Sequence, residues 1–257
     1  NTTGLPGVDY FVTDKNIDPE GCNDNFFTEK LLRLPNSQFC YTGRSDVPVP
    51  QGAPCYNKGY ITFASFNHYV KITDEVLELW LTILAAVDKS RLLLKSQVFV
   101  SSSAIKLAKE RLSNLGYDLS RVDFAPATDT YMEDYLTVDI ALDTYPYPGG
   151  GTTCDALYMG VPVVAMYGKT HGSRFGYSIL KNIGLEDLAV QTEAEYVAKA
   201  VALAGDWELL DLLHKQLRDR MLQSPLMDEQ HYVKEIENIY KKIWQETEAK
   251  LAGNIGK

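Results

Sequence analysis

From residue 60 to residue 190 the chain alternates short, nearly continuous apolar runs with longer stretches in which apolar residues return every three or four positions. The short runs, at 60–66, 90–95, 122–124, 140–142, 161–166 and 188–190, predict buried strands. The longer stretches predict helices. Thr73 reads as the N-cap of one, with Asp74 and Glu75 in its first turn and Val76, Leu77, Trp80, Leu81 and Leu84 on one face. A second takes a cap from the serines at 101–103 and carries Ile105, Leu107, Ala108, Leu112 and Leu115 to a stop at Gly116. Residues 128–137 predict a short helix or turn, and a further helix runs through Ile179 and Leu180 to Gly184. Strand and helix in turn are the signature of a mostly parallel sheet covered on both faces, so the predicted fold class is α/β with a Rossmann-like parallel sheet.

The flanks read differently. Before residue 40 there is an apolar run at Tyr10, Phe11 and Val12, an acidic loop, and a segment at 27–34 with helix-compatible spacing, together resembling the closing pieces of another α/β unit. Residues 42–58 are rich in Pro and Gly and predict a linker. After residue 190 the pattern is helical at 193–203, 207–221 and about 228–250, with a break at Ser224-Pro225. In the last of these Tyr232, Ile236, Ile239, Tyr240 and Trp244 fall on or near one face, a stripe that must find cover or drive dimerisation.

The richest candidate chemistry lies at 141–164, which reads as a strand, a glycine loop, a short helix and a second strand. Thr152 is the expected N-cap and Gly160 the expected C′ residue, with Pro162 preventing continuation. Gly149, Gly150 and Gly151 let the backbone approach a ligand closely, and the N–H groups of a helix start favour an anion. The same residues, Thr152 and Asp155, also fit a capping box that needs no ligand. The loop lacks the Lys of a P-loop and the glycine spacing of a dinucleotide fingerprint.

A net charge of −9 argues against a nucleic-acid or anionic-membrane surface, so an anionic ligand must be held locally. The apolar runs are too short to span a membrane, no signal peptide precedes them, and a cytoplasmic location is expected. Cys22, Cys40, Cys55 and Cys154 show no Cys-x-x-Cys spacing and suggest neither zinc nor a redox motif; free thiols are expected, with a disulfide among the first three as the alternative. The chain begins at Asn1, inside what reads as structured sequence, and is expected to be a piece of a larger protein.

Several of these segments together resemble a known family. Phe66-Asn67 with Lys71, the run from Asp139 to Thr144, Gly149 to Asp155, Gly160-Val161-Pro162, Ser173-Arg174 and Ser224-Pro225-Leu226 look like the catalytic C-terminal region of the O-linked N-acetylglucosamine transferases, the family 41 glycosyltransferases, in their bacterial style. Each motif alone is weak; their order and spacing carry the resemblance over nearly the whole chain. It implies the C-terminal, donor-binding lobe of a glycosyltransferase-B architecture, in which two Rossmann-like lobes face one cleft. Residues 1–45 would be the remnant of the N-terminal lobe, 46–59 a linker, 60–226 the nucleotide-sugar lobe, and 227–257 a helix packing back toward the first lobe.

The resemblance also implies an inverting enzyme with a UDP-sugar donor, no metal ion and no further cofactor. Lys71 matches the family's essential lysine at the donor diphosphate. Thr152 and Thr153 would add hydroxyl and N–H donors, with Gly151 standing where some members have Thr. Asp155 would accept hydrogen bonds from the ribose, capping being its other reading. His68 would lie near the leaving diphosphate or be a surface loop residue. Ser173 and Arg174 would steady the donor loop. Tyr131 stands where the family commonly has a His eight residues before Asp139, and it would stack on uracil. A protein acceptor would be received by a region upstream of Asn1, with tetratricopeptide repeats, so this piece is expected to bind nucleotide and transfer little sugar. The alternatives are a transferase acting on glycans or lipids, a sugar-nucleotide epimerase, and a non-catalytic nucleotide-binding or scaffold module of the same fold.

Overall fold

The structure, a computed structural model, describes residues 2–255. The N-terminal segment gives two strands, β1 (Tyr10–Asp14) and β2 (Lys30–Leu34), paired in parallel with Tyr10 opposite Lys30 and Asp14 opposite Leu34. The segment at 27–34, expected to be helical from its spacing, is therefore a strand. The register with β1 decides it: Leu31 and Leu34 are buried in the strand conformation, and Glu29, just before it, accepts hydrogen bonds from Thr2 and Thr3 and starts no helix.

The rest of the fold is a six-stranded parallel sheet. Its strands are β3 (Ile61–Ser65), β4 (Ser90–Lys95), β5 (Val122–Ala125), β6 (Ile140–Leu142), β7 (Val163–Met166) and β8 (Ala189–Val190), in spatial order β5-β4-β3-β6-β7-β8. The chain works outward from β3 to one edge, returns to β6 beside β3, and works outward to the other. β3 and β6 thus flank the point where the strand order reverses, and ligands bind at such a crevice beyond the carboxyl ends of the strands.

Helices cover both faces: α1 (Cys55–Lys58), α2 (Asp74–Ala86), α3 (Ser102–Asn114), α4 (Tyr131–Asp134), α5 (Gly151–Tyr158), α6 (Phe175–Asn182), α7 (Glu193–Gly205) and α8 (Trp207–Leu222). The Thr73 hydroxyl accepts from Val76 N and caps α2, whereas no side chain caps α3, despite the serines at its start. Phe63, Leu77, Trp80, Ile140, Leu157 and Val164 are among the fully buried residues of one continuous core. The Pro-rich segment before β3 is not free of the sheet. Asp139 accepts from Cys55 N and Thr62 N, each at 2.7 Å, which docks the start of α1 and of β3 together.

A last helix, α9 (Glu229–Ile255), lies against β2. Tyr232 donates to the carbonyl of Gln38 at 3.2 Å, and Lys30 pairs with Glu246. The expected apolar stripe divides: Tyr232, Ile236 and Ile239 are half-buried, as is Ile243 one turn further on, but Tyr240 and Trp244 are 61% and 66% exposed because they project from a neighbouring face of the helix. Of the segment 227–257, residues 256 and 257 lie outside the described residues. All four cysteines are free thiols. No helix among the described residues is long and apolar enough to cross a membrane.

Candidate functional site

The ends of β3 and β6 bring three segments together: 66–71, the glycine loop at 143–151 and the start of α5. Their hub is Asp143, the residue that follows β6. Its Oδ1 accepts from Thr144 N at 2.9 Å, Gly149 N at 2.7 Å and Asn67 Nδ2 at 3.1 Å, and its Oδ2 accepts from Thr153 Oγ1 at 3.4 Å. Burial pushes its pKa up, and the Gly149 and Thr144 amides, Asn67 and the nearby Lys71 charge oppose that rise. Asn67 completes the bracket by accepting from Thr152 Oγ1 at 3.2 Å. One buried carboxylate and one buried amide thus set the conformation of the loop from both ends.

The three glycines are not equivalent. A Cβ at Gly149 would stand 2.5 Å from both Thr152 Oγ1 and Thr153 Oγ1, so this position needs glycine for the close approach. A Cβ at Gly151 would meet nothing within 4 Å. α5 begins at Gly151 with Gly150, not Thr152, as N-cap, and no side chain caps it. The expected Thr152–Asp155 capping box is absent, because the helix starts earlier than its residue types suggest and both side chains are engaged elsewhere. The Thr152 and Thr153 hydroxyls turn inward to Asn67 and Asp143, so the donors this turn could offer an anion are its backbone N–H groups.

Lys71 closes a turn of 3₁₀ helix (Tyr69–Lys71) after β3. Its ammonium donates to the carbonyl of Pro148 at 3.2 Å and stands 4.4 Å from the centroid of the Tyr147 ring. It is half-buried, and desolvation lowers its pKa against the pull of Asp143. The structure therefore sets a cation directly against the glycine loop. His68, three residues earlier, has an exposed side chain; only its backbone carbonyl acts locally, accepting from Lys71 N.

Asp155, one turn into α5, is half-buried. Its Oδ1 accepts from the Tyr41 hydroxyl at 2.8 Å and its Oδ2 from the Tyr131 hydroxyl at 2.9 Å. Burial raises its pKa, opposed by both hydroxyls and the Arg44 charge. Burial likewise pushes the Tyr131 phenol up to about 12, so it is a neutral donor at physiological pH. Tyr131 is joined to the site through this bond.

Ser173 and Arg174 belong to the loop after β7. Ser173 Oγ accepts from Gly168 N and from Thr170 Oγ1. Arg174 donates to the carbonyls of Asn16 and Gly168 and lies over the rings of Tyr167 and Tyr177. They brace this loop against the N-terminal segment and do not reach the glycine loop. Beside them His171 Nδ1 meets Asp18 Oδ2 at 2.6 Å, and Ser178 donates to Asp14. At the start of α6, Gly176 allows close packing on Asp143, whose Oδ2 would lie 3.0 Å from a Cβ there.

Sequence reasoning named Lys71, the glycines and Asp155, which the fold gathers on one rim. It gave no role to Asp143, Asn67, Tyr41 or Tyr147. For Asp143 a signal was present, a carboxylate at a strand end before a glycine loop whose amides need an acceptor. Tyr41 reaches Asp155 across 114 residues, and no local pattern announces it.

The family model described as Glycosyl transferase family 41 matches residues 55–236. The chain is 43% identical over 248 residues to a protein of Solanum lycopersicum named probable UDP-N-acetylglucosamine–peptide N-acetylglucosaminyltransferase SPINDLY, covering 95% of this chain and 26% of the relative. It is 29% identical over 254 residues to an Arabidopsis thaliana protein named probable UDP-N-acetylglucosamine–peptide N-acetylglucosaminyltransferase SEC, again covering 26% of that protein. The chain thus spans about a quarter of the length of these curated relatives. Among solved structures it is similar to a Thermobaculum terrenum O-GlcNAc transferase mutant, K341M, with a TM-score of 0.87 and 33% identity over 96% of this chain and 47% of that one. Similarity to WaaG, a glycosyltransferase of lipopolysaccharide biosynthesis, at a TM-score of 0.60 and 14% identity over 91% of this chain and 64% of that one, is a likeness of fold.

Proposed function

Because this chain belongs to glycosyltransferase family 41, with the α/β architecture of glycosyltransferase-B enzymes, we propose that it holds a nucleotide-linked sugar for transfer to a protein hydroxyl. The relatives' names give UDP-N-acetylglucosamine as their donor and a peptide as their acceptor; for this chain the proposed donor is UDP-N-acetylglucosamine or a related UDP-hexose, and the proposed acceptor a Ser or Thr side chain. The observation that carries this reading is the Lys71 ammonium at the Pro148 carbonyl, beside the uncapped start of α5.

The reaction explains why a cation and free N–H groups belong there. In an inverting transfer the acceptor oxygen bonds to the anomeric carbon from the face opposite the diphosphate. The bond from that carbon to the phosphate oxygen breaks, its electron pair leaves with UDP, and the hydroxyl proton passes to a base on the acceptor side. Negative charge therefore grows on the diphosphate, and Lys71 with the N–H groups of 150–153 would stabilise it without a metal ion. Asp143 and Asn67 hold those groups in place in advance, so little reorganisation is needed as the charge develops. Asp155 would face the ribose.

Calorimetric titration of UDP into wild type and Lys71→Ala tests the reading. The wild type should bind UDP and Lys71→Ala should bind about tenfold more weakly, the scale of one charge-assisted hydrogen bond. Equal binding, or none by the wild type, would overturn it. GDP titrated in parallel separates the base from the diphosphate: tighter GDP binding that still depends on Lys71 would replace uridine and keep the phosphate site.

A further inference from the structure

We propose that Lys95 is a positioning residue for the nucleoside end of this site. Lys95 closes β4 on the same rim as Lys71 and is 4% exposed. Its ammonium donates to the carbonyl of Pro126 at 2.6 Å and pairs with Asp134 Oδ2 at 2.7 Å. Pro126 opens the loop that follows β5, and Asp134 is the last residue of α4, into which that loop runs. Between them sits Tyr131, whose hydroxyl holds Asp155. A single buried cation therefore ties down both ends of the segment that delivers Tyr131.

A second path leads from the same ammonium to the same helix. Lys95 Nζ lies 5.9 Å from the centroid of Phe66, Phe66 stacks on Tyr135 at 4.1 Å, and the Tyr135 hydroxyl donates to the carbonyl of Thr152 at 3.2 Å. Burying an ammonium carries a desolvation cost that an apolar residue would not incur. An apolar residue would serve the core as well. What it would not do is fix the loop geometry, because apolar contacts are not directional and these two bonds are.

The role rests on the reading of Asp155 as a nucleoside contact, and the test keeps the two apart. UDP is titrated calorimetrically into the full chain as wild type, Lys95→Met, Tyr131→Phe, the double variant, Lys95→Arg, Asp134→Asn and Asp155→Asn, each with its denaturation midpoint. Lys95→Met and Tyr131→Phe should each weaken UDP binding about fivefold, and the double variant should be no weaker than the worse single one, as for members of one network. Lys95→Arg should recover part of the affinity. Asp134→Asn, at a half-exposed position, should reproduce part of the loss, and it carries the test if Lys95→Met does not fold. UDP binding unchanged in Lys95→Met and Asp134→Asn, or losses for Lys95→Met and Tyr131→Phe that simply add, would overturn the role of Lys95. Unchanged binding by Asp155→Asn, or none by the wild type, would remove the nucleoside site itself, and the role with it.

Discussion

Asp143 Oδ1 accepts the backbone N–H of Gly149 at 2.7 Å across a six-residue loop, and that bond fixes where the loop meets the end of β3. The carboxylate is buried and takes four donors in all, two of them backbone amides. Asp143→Ala leaves those donors without an acceptor, at about 1–3 kcal/mol for each buried group not rehydrated. Denaturant unfolding should show a loss of at least about 2 kcal/mol, and UDP binding should weaken with it. Asp143→Asn keeps one acceptor oxygen and should fall between the two proteins in both measurements.

Gly149 and Gly151 should separate cleanly. Gly149→Ala forces a methyl against two threonine hydroxyls that are themselves held by Asn67 and Asp143, so it should cost about 1–3 kcal/mol and displace the loop. Gly151→Ala adds a methyl to open space in a helical position, where alanine is favoured, and should leave the denaturation midpoint unchanged or slightly higher. A similar loss in both variants would show that the packing around Gly149 is not what sets the loop.

The contrast between those glycines marks how far the sequence could be read. The order of strands and helices from 60 to 190 follows from local pattern, because each element buries its own apolar set on the sheet. The glycine loop and Lys71 were legible for the same reason, lying at strand ends where an open α/β sheet places its ligand. The start of α5 was misread because Thr152 is a better cap by residue type than Gly150, whereas Asn67 and Asp143 outbid the helix for the threonine hydroxyls. The segment at 27–34 was misread because helical spacing over eight residues is outweighed by pairing with a strand some twenty residues earlier. The tyrosine pair on Asp155 lay beyond any local rule, since its members come from 41 and 131.

The N-terminal strands should loosen without unfolding the sheet when Asp18 is lost. Asp18 is fully buried; burial raises its pKa, but the bonds from His171, Thr13 and Asn23 outweigh that and the net shift is downward. Asp18→Ala leaves His171, among the rings of Phe11, Phe27 and Phe175, and the Thr13 and Asn23 side chains without their shared acceptor, at about 1–3 kcal/mol for each buried group left unpaired. Hydrogen exchange should quicken at residues 10–34 and 168–174 and stay slow at β3 and β4. Uniform acceleration across the sheet would mean that the two parts unfold as one unit.

His214 should give the fold a pH dependence below neutrality. It is buried on α8, its Nε2 donates to the carbonyl of Asp139 at 2.9 Å, and burial lowers its pKa to about 4. The unfolded chain takes up a proton near the ordinary histidine value of about 6.5, whereas the folded protein does so only near 4. Between those values the unfolded state binds more protons, so stability falls as pH drops through that window, by a few kcal/mol in all. Gln at 214 can keep a donor toward the Asp139 carbonyl without titrating. Urea unfolding of His214→Gln should therefore vary less between pH 7 and pH 5 than that of the wild type, and equal slopes would show that other groups set the dependence.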